Sequence, residues 1–163
     1  MIKSNIVPAD MEVFPVCTAI AVRAWEKGYK EYNKILGDSL FENVFPNWQD
    51  AKADAMESYF QGSLTKHAYI TLHNGEIVGF ITCEFDKNRK TGTICNNAID
   101  PEFQGRGFGS AMYEFILDVF KMEGMTAAVV ATMDEDAYIP ARKAYEKAGF
   151  NKKLKRLTYY MEL

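Results

Sequence analysis

The chain has 163 residues, 48% of them hydrophobic and 25% charged, with a net charge of −3. This length suits one domain that buries about two thirds of its unfolded surface, and the composition excludes a disordered chain. The weak negative charge argues against a partner held through nucleic-acid phosphates and mildly favours cationic substrates such as amines. Cys17, Cys83 and Cys95 are an odd number with no CxxC pair, and His67 and His73 lie far from Cys17 in sequence. They read as buried thiols of a reduced, cytoplasmic protein rather than as a zinc site or a disulfide framework. No apolar run approaches membrane-spanning length, and residues 1–163 read as a single domain without a signal peptide.

Residues 2–7 predict a short first strand, ended by Pro8. Asp10 is placed to cap a helix whose stripe, Val13, Val16, Cys17, Ile20, Ala24 and Trp25, runs to Gly28, with Pro15 either in its first turn or marking a kink. Residues 29–46 are punctuated by Gly37, Asp38 and Pro46 and carry Tyr32, Leu36, Leu40, Phe41 and Phe45. These aromatics suit either packing over the core or the wall of a substrate pocket, packing being the simpler reading. Asn47 with Asp50 predicts a boxed helix start, and Gly62 its stop. Residues 67–72 and 76–85 flank Asn74-Gly75, the strongest short hairpin signal, and residues 91–99 continue an antiparallel meander.

Met112, Phe115, Ile116, Val119 and Phe120 recur at helical spacing up to Gly124. Residues 126–132 are a continuous apolar run, expected to be a buried strand. Asp134, Glu135 and Asp136 mark a loop, Pro140 opens a helix that closes at Gly149, and residues 155–162 alternate as a final strand with Leu157, Tyr159 and Met161 on one face.

The turn between the strand at 91–99 and the helix after it is the chemically informative stretch. A strand entering a helix through glycines leaves unpaired N–H groups aimed at one place, and the helix dipole adds positive charge there. A P-loop would need Gly-Lys-Ser/Thr, but Ser110 and Ala111 follow Gly109. A dinucleotide fingerprint beginning at Gly105 would need glycine at Ser110 and an acidic residue closing a second strand, whereas Glu123 ends a helix.

What remains is Gln-x-x-Gly-x-Gly at Gln104, Gly107 and Gly109, led by Asp100-Pro101-Glu102. About forty residues on, positions 141–150 read Ala-Arg-Lys-Ala-Tyr-Glu-Lys-Ala-Gly-Phe. In this order, with a strand between them, the two motifs resemble those of the GNAT superfamily of N-acetyltransferases, over roughly residues 67–150. The resemblance implies an α/β (α+β) fold, a mixed, mainly antiparallel sheet of six to seven strands flanked by about four helices, the early helices covering the acceptor site. It implies a V-shaped opening between the strand ending at Ile99 and the strand at 126–132. There the backbones of Asn97 and Ile99 would meet the pantetheine arm like an added strand, and an N–H near Asn97 would polarise the thioester carbonyl.

By the same resemblance the amides of Gln104, Gly105, Arg106, Gly107, Phe108, Gly109 and Ser110 hold the pyrophosphate, and Arg142, Lys143 and Lys147 are candidates for the nucleotide phosphates. Tyr145 takes the general-acid position. A tyrosine of pKa about 10 can protonate a thiolate of parent pKa about 8.5 held close to it. There are two departures from the family pattern: Tyr138 stands where an asparagine often meets the cofactor, and Asn97 where an apolar residue is usual. For the general base, Glu84, a water on Asn97, Asp134, Asp136 and a plain water chain stay open. The implied activity is direct transfer of acetyl from acetyl-CoA, as co-substrate, to a primary amine of a small molecule or peptide, without a metal. The rivals are a non-catalytic acyl-CoA-binding sensor, a transferase for a longer acyl chain, and an interaction module with an empty cleft that binds no CoA. The aromatic C-terminal strand leaves room for pairing across a homodimer.

Overall fold

The computed structural model describes residues 5–163, so residues 2–4 of the predicted first strand lie outside the described residues. The remainder forms β1 (Asn5–Pro8), antiparallel to β2 (Lys66–His73). β2, β3 (Glu76–Asp86) and β4 (Thr91–Ile99) make an antiparallel meander, and β5 (Ala127–Val130) joins β4 in parallel, giving the order β1-β2-β3-β4-β5. Asn74 and Gly75 turn the β2–β3 hairpin with φ of 51° and 83°, the left-handed angles that match a tight turn to strand twist.

β3 is buried on both faces, and so divides the core in two. One face carries Phe80 and packs with Ala68, Ile70 and Ala98 against α1 (Phe14–Leu36) and α3 (Trp48–Gln61) through Cys17, Ile20, Met56 and Phe60. The other carries Ile81, Cys83 and Phe85 and packs with Ile94 against α4 (Phe108–Met122) and α5 (Ile139–Lys147) through Met112, Ile116, Phe120 and Tyr145. The α4 stripe read from spacing is this buried face. Gly92 lets β4 pass beneath Phe120, since a Cβ there would meet three ring atoms at 2.5–2.6 Å. Cys17 and Cys83 are buried free thiols, pushed by burial up to about 12, and Cys95 is half-buried. No helix among the described residues is long and apolar enough to cross a membrane.

The structure corrects several local expectations. Asp10 accepts from the amide of Glu12 in a turn ahead of α1, whose cap position is Val13, though Pro15 does sit in the first turn. α1 does not stop at Gly28 but runs on to Leu36, because Gly28 serves as a contact: a Cβ there would overlap the Tyr138 hydroxyl. The stretch left unassigned holds the end of α1 and α2 (Asp38–Val44), and its aromatics pack. Tyr29 and Trp48 stack at 3.9 Å beside Phe41 and Phe45. Asn47 does precede α3, but in a left-handed conformation with no side-chain cap, so the box with Asp50 does not form.

The sheet has five strands among the described residues, against an expectation of six to seven. β5 is an edge strand only four residues long, and Val129 is 47% exposed, so the apolar run at 126–132 is not buried on both faces. Residues 155–162 form no strand, and Leu157, Tyr159 and Met161 stand exposed. Alternation records which face a strand would bury, but not whether an edge is there to pair with it.

Gly92→Ala should lower stability by about 1–3 kcal/mol through overpacking against Phe120. Combined with Phe120→Leu it should lose less than the sum of the two single changes, as read by urea unfolding. Additive losses would show that the close approach is not what the glycine provides.

Candidate active site

β4 and β5 pair only from Thr91↔Ala127 to Ile94↔Val130. The parting has a local cause on each side. On β4, the register with β3 shifts between Ile81 and Cys83, a bulge that bends a strand. It is fastened by buried Thr82, whose Oγ1 accepts from the Asn96 amide at 2.9 Å and donates to the Asn96 carbonyl at 3.3 Å. Beyond β5, Arg142 from α5 holds the loop by donating to the carbonyls of Met133 (2.7 Å) and Glu135 (2.9 Å).

The gap between the two strands is lined by backbone. The Asp100 amide donates to the Val78 carbonyl at 2.9 Å, which sets the phase of antiparallel pairing. Asp100 and Ala98 therefore address β3, while the backbone groups of Asn97 and Ile99 point away from it, into the gap. The Ile99 carbonyl accepts from Gln104 Nε2 at 2.9 Å, so that oxygen is already engaged.

The turn that follows is pinned at both ends. Asp100, 8% exposed, is ion-paired with Arg23 of α1 and accepts from the Glu102 amide. Phe108 is buried against His73 and Phe103. Between these anchors Gly105 and Gly107 adopt φ of 73° and 89°, and Gly107 occupies the cap of α4. The helical ladder begins with the Ala111 amide donating to the Gly107 carbonyl, so the first-turn amides of Phe108, Gly109 and Ser110 have no helical partner. The Gln104 amide leans back on the Pro101 carbonyl at 3.4 Å, which takes it out of the set expected to meet an anion. Arg106 folds over the Phe103 ring and donates to the Glu102 carbonyl.

Gly109 is the most telling residue. It does not need a positive φ, and a Cβ there would make only ordinary contacts at 3.9 Å with Ile99 and Tyr113. The fold would accept alanine, which a helix prefers by about 1 kcal/mol. A bare backbone at this position fits the close approach of a ligand better than it fits any demand of packing.

Tyr145 reaches the gap from α5. Its ring, 7% exposed, packs 5.0 Å from Tyr113, and its hydroxyl lies 3.2 Å from Asn97 Nδ2 on β4. Burial pushes the hydroxyl above its ordinary pKa, opposed by hydrogen bonds with Asn97 and Tyr113. Thus Asn97, Ile99, the glycine turn and Tyr145 come together at the place where the sheet opens.

Other candidates are placed elsewhere. Glu84 lies three residues along β3 from Ile81, the partner of Asn97, a rise of about 10 Å. Its side chain faces Tyr59 and Cys95 and lines a 390 Å³ cavity with Thr65 and Thr93, across the sheet from Tyr145. Asp134 pairs with Lys155, which holds its carboxyl below the usual range, and exposed Asp136 opens the short helical turn before α5. Tyr138 turns to α1, where it stacks on Tyr32. Lys143 and Lys147 are exposed on α5, while Arg142 is occupied by the loop. The reading of the sequence missed Tyr113, Thr82 and Arg23. Of these only Tyr113, a polar group inside the apolar stripe of α4, left a visible signal.

A family model described as the acetyltransferase (GNAT) family matches residues 25–150. The chain is 32% identical over 89 residues to a [ribosomal protein bS18]-alanine N-acetyltransferase of Haemophilus influenzae, covering 55% of this chain and 58% of that protein. It thus spans about half the length of the curated relatives it matches. Among solved structures, the PaiA N-acetyltransferase of Thermoplasma acidophilum in complex with coenzyme A superposes with a TM-score of 0.74 at 15% identity, over 93% of this chain and 92% of that one. The ribosomal-protein-S18-alanine N-acetyltransferase of Escherichia coli gives 0.69 at 20% identity, over 96% and 83%. At such identities these two likenesses establish the fold.

Gly109→Ala is expected to raise the thermal midpoint slightly yet weaken coenzyme A binding by about tenfold or more, since a methyl group would fill the anion's approach. Calorimetry showing wild-type affinity would remove Gly109 from the cradle. Gly107→Val should lose binding while the chain still folds, with circular dichroism as the control.

Proposed function

The chain belongs to the GNAT family of acetyltransferases, and from that premise we propose that it transfers the acetyl group of acetyl-CoA directly to a primary amine of a small molecule or peptide. Acetyl-CoA is the acyl donor of the family. The residues here suit it: open amides from Gly105 to Ser110 offer a diphosphate a set of donors at a helix N-terminus, and the gap-facing backbone of Asn97 and Ile99 offers the amides of the pantetheine arm a strand edge. The observation that carries the reading is the position of Tyr145, a buried hydroxyl brought against a β4 residue at the parting of the strands.

The reaction balances simply. The amine lone pair attacks the thioester carbonyl carbon and the C–S bond breaks. The sulfur leaves with the bonding pair and takes the Tyr145 proton; the nitrogen gives up its proton to water, and the tyrosinate recovers one from water. With its pKa raised by burial, Tyr145 stays protonated through neutral pH and is available as an acid. Glu84 lies about 10 Å along β3 from the partner of Asn97, Asp134 is paired with Lys155, and Asp136 sits at the exposed turn before α5, so in this reading solvent removes the amine proton. The family resemblance would have the early helices cover the acceptor, and the bS18-alanine relatives make a peptide α-amine the first acceptor to assay.

Tyr145→Phe should lower turnover by roughly 10²–10⁴ while leaving coenzyme A affinity nearly intact. Unchanged turnover would remove the tyrosine from the mechanism. For the wild type, kcat/KM should rise with pH along the acceptor amine's own titration, with no fall until above the ordinary tyrosine value of 10.0. Glu84→Gln should change kcat/KM by less than about threefold, against the 10²–10⁴ loss expected of a general base; a loss of that size would make Glu84 the base. Absence of thiol release across an amine panel, with coenzyme A still bound, would turn the reading towards an acyl-CoA sensor.

A further inference from the structure

Tyr145 does not meet Asn97 alone. Tyr113, on α4 one turn past Gly109, donates its hydroxyl proton to Asn97 Oδ1 at 2.7 Å. Three elements thus converge on one side-chain amide: α4 through Tyr113, β4 through Asn97 and α5 through Tyr145. Tyr113 is 5% exposed, and burial keeps its hydroxyl protonated well above the usual tyrosine range. A buried hydroxyl must place its proton, and Asn97 Oδ1 at 2.7 Å accepts it, with the Tyr145 hydroxyl as a further polar neighbour.

This contact fixes an otherwise ambiguous group. With Oδ1 turned to Tyr113, the Asn97 amide presents Nδ2 to the Tyr145 oxygen, 3.2 Å away. The competing bond, from the Tyr145 hydroxyl to the same Oδ1, is longer at 3.4 Å and reaches an oxygen already engaged by Tyr113. The Tyr145 oxygen therefore accepts a hydrogen bond while its own proton stays free to be given away. After donation, the phenolate keeps an N–H donor, the partner that an anion needs most.

We propose that Tyr113 is a positioning residue for acetyl transfer: through the Asn97 amide it sets Tyr145 as a proton donor and steadies the phenolate left behind. The proposal rests on the reading of Tyr145 as general acid. Without the Tyr113 hydroxyl the amide is free to reverse, so that Asn97 Oδ1 accepts the very proton the leaving sulfur requires. Tyr113→Phe removes one oxygen and keeps the ring that packs on Tyr145 at 5.0 Å, so packing and proton control are separable.

The test compares Tyr113→Phe and Tyr145→Phe in the full chain with acetyl-CoA and a peptide amine. For Tyr113→Phe, kcat should fall about tenfold to a hundredfold, the loss of one hydrogen bond to a charged group, with KM for acetyl-CoA within about twofold. The solvent deuterium isotope effect on kcat should rise, since proton delivery becomes slower. Asn97→Asp, similar in shape but without the N–H donor, is the second variant and should show the same signature at least as strongly. If Tyr145→Phe loses rate while Tyr113→Phe keeps wild-type kcat and isotope effect, the positioning role alone is overturned. A fall in kcat that follows loss of folded protein, with the isotope effect unmoved, makes the hydroxyl structural and equally overturns it. If Tyr145→Phe itself keeps full rate, the general-acid reading fails and this one goes with it.

Discussion

Four residue pairs of parallel sheet, and then none, is the constraint on which the site depends. Had β4 and β5 continued beyond Ile94 and Val130, the backbone of Asn97 and Ile99 would be spent on the sheet. The bulge fastened by Thr82 turns one strand aside, and Arg142 carries the other strand's continuation into a held loop. Backbone donors and acceptors in a protein interior must find partners, and a gap lined with them calls for a ligand of matching chemistry. An amide-rich arm ending in a diphosphate suits the strand edge and the open helix terminus together.

The glycine turn is held from outside itself. Arg23 on α1 pairs with Asp100 at the head of the turn, and Phe108 anchors its foot beside His73 and Phe103. Between these anchors glycine angles and free amides are kept rather than relaxed. The same economy holds at Tyr145, whose hydroxyl is placed by α4 and β4 while its backbone belongs to α5. The glycine turn and the Tyr145 hydroxyl are thus joined through α4, which carries Gly109 at one end of a turn and Tyr113 at the other.

Local chemistry was readable from the sequence. Asn74-Gly75, the α4 stripe, the glycine turn entering α4 and the Tyr145 helix each depend on neighbours a few residues away, and each is where its spacing put it. What escaped depends on pairing across the chain. The Arg23–Asp100 pair joins residues 77 apart, and nothing near either one announces it. Gly28 looked like a helix stop because a contact glycine and a capping glycine are spelled alike; the Tyr138 hydroxyl tells them apart. Leu157, Tyr159 and Met161 alternate as a strand would, yet the residues that would pair with them are not chosen by alternation. Asn97 stands where the family pattern has an apolar residue, but its meaning depends on Tyr113, sixteen positions on and on another element.

The central claim, that bare backbone in the turn and along the β4 edge holds the acyl donor, is tested most directly by residue-resolved amide hydrogen exchange with and without coenzyme A. The account predicts slowed exchange for residues 105–110 and for Asn97 and Ile99, with α2 and α3 unchanged. Coenzyme A that binds while leaving those amides exchanging at their free rates would contradict it.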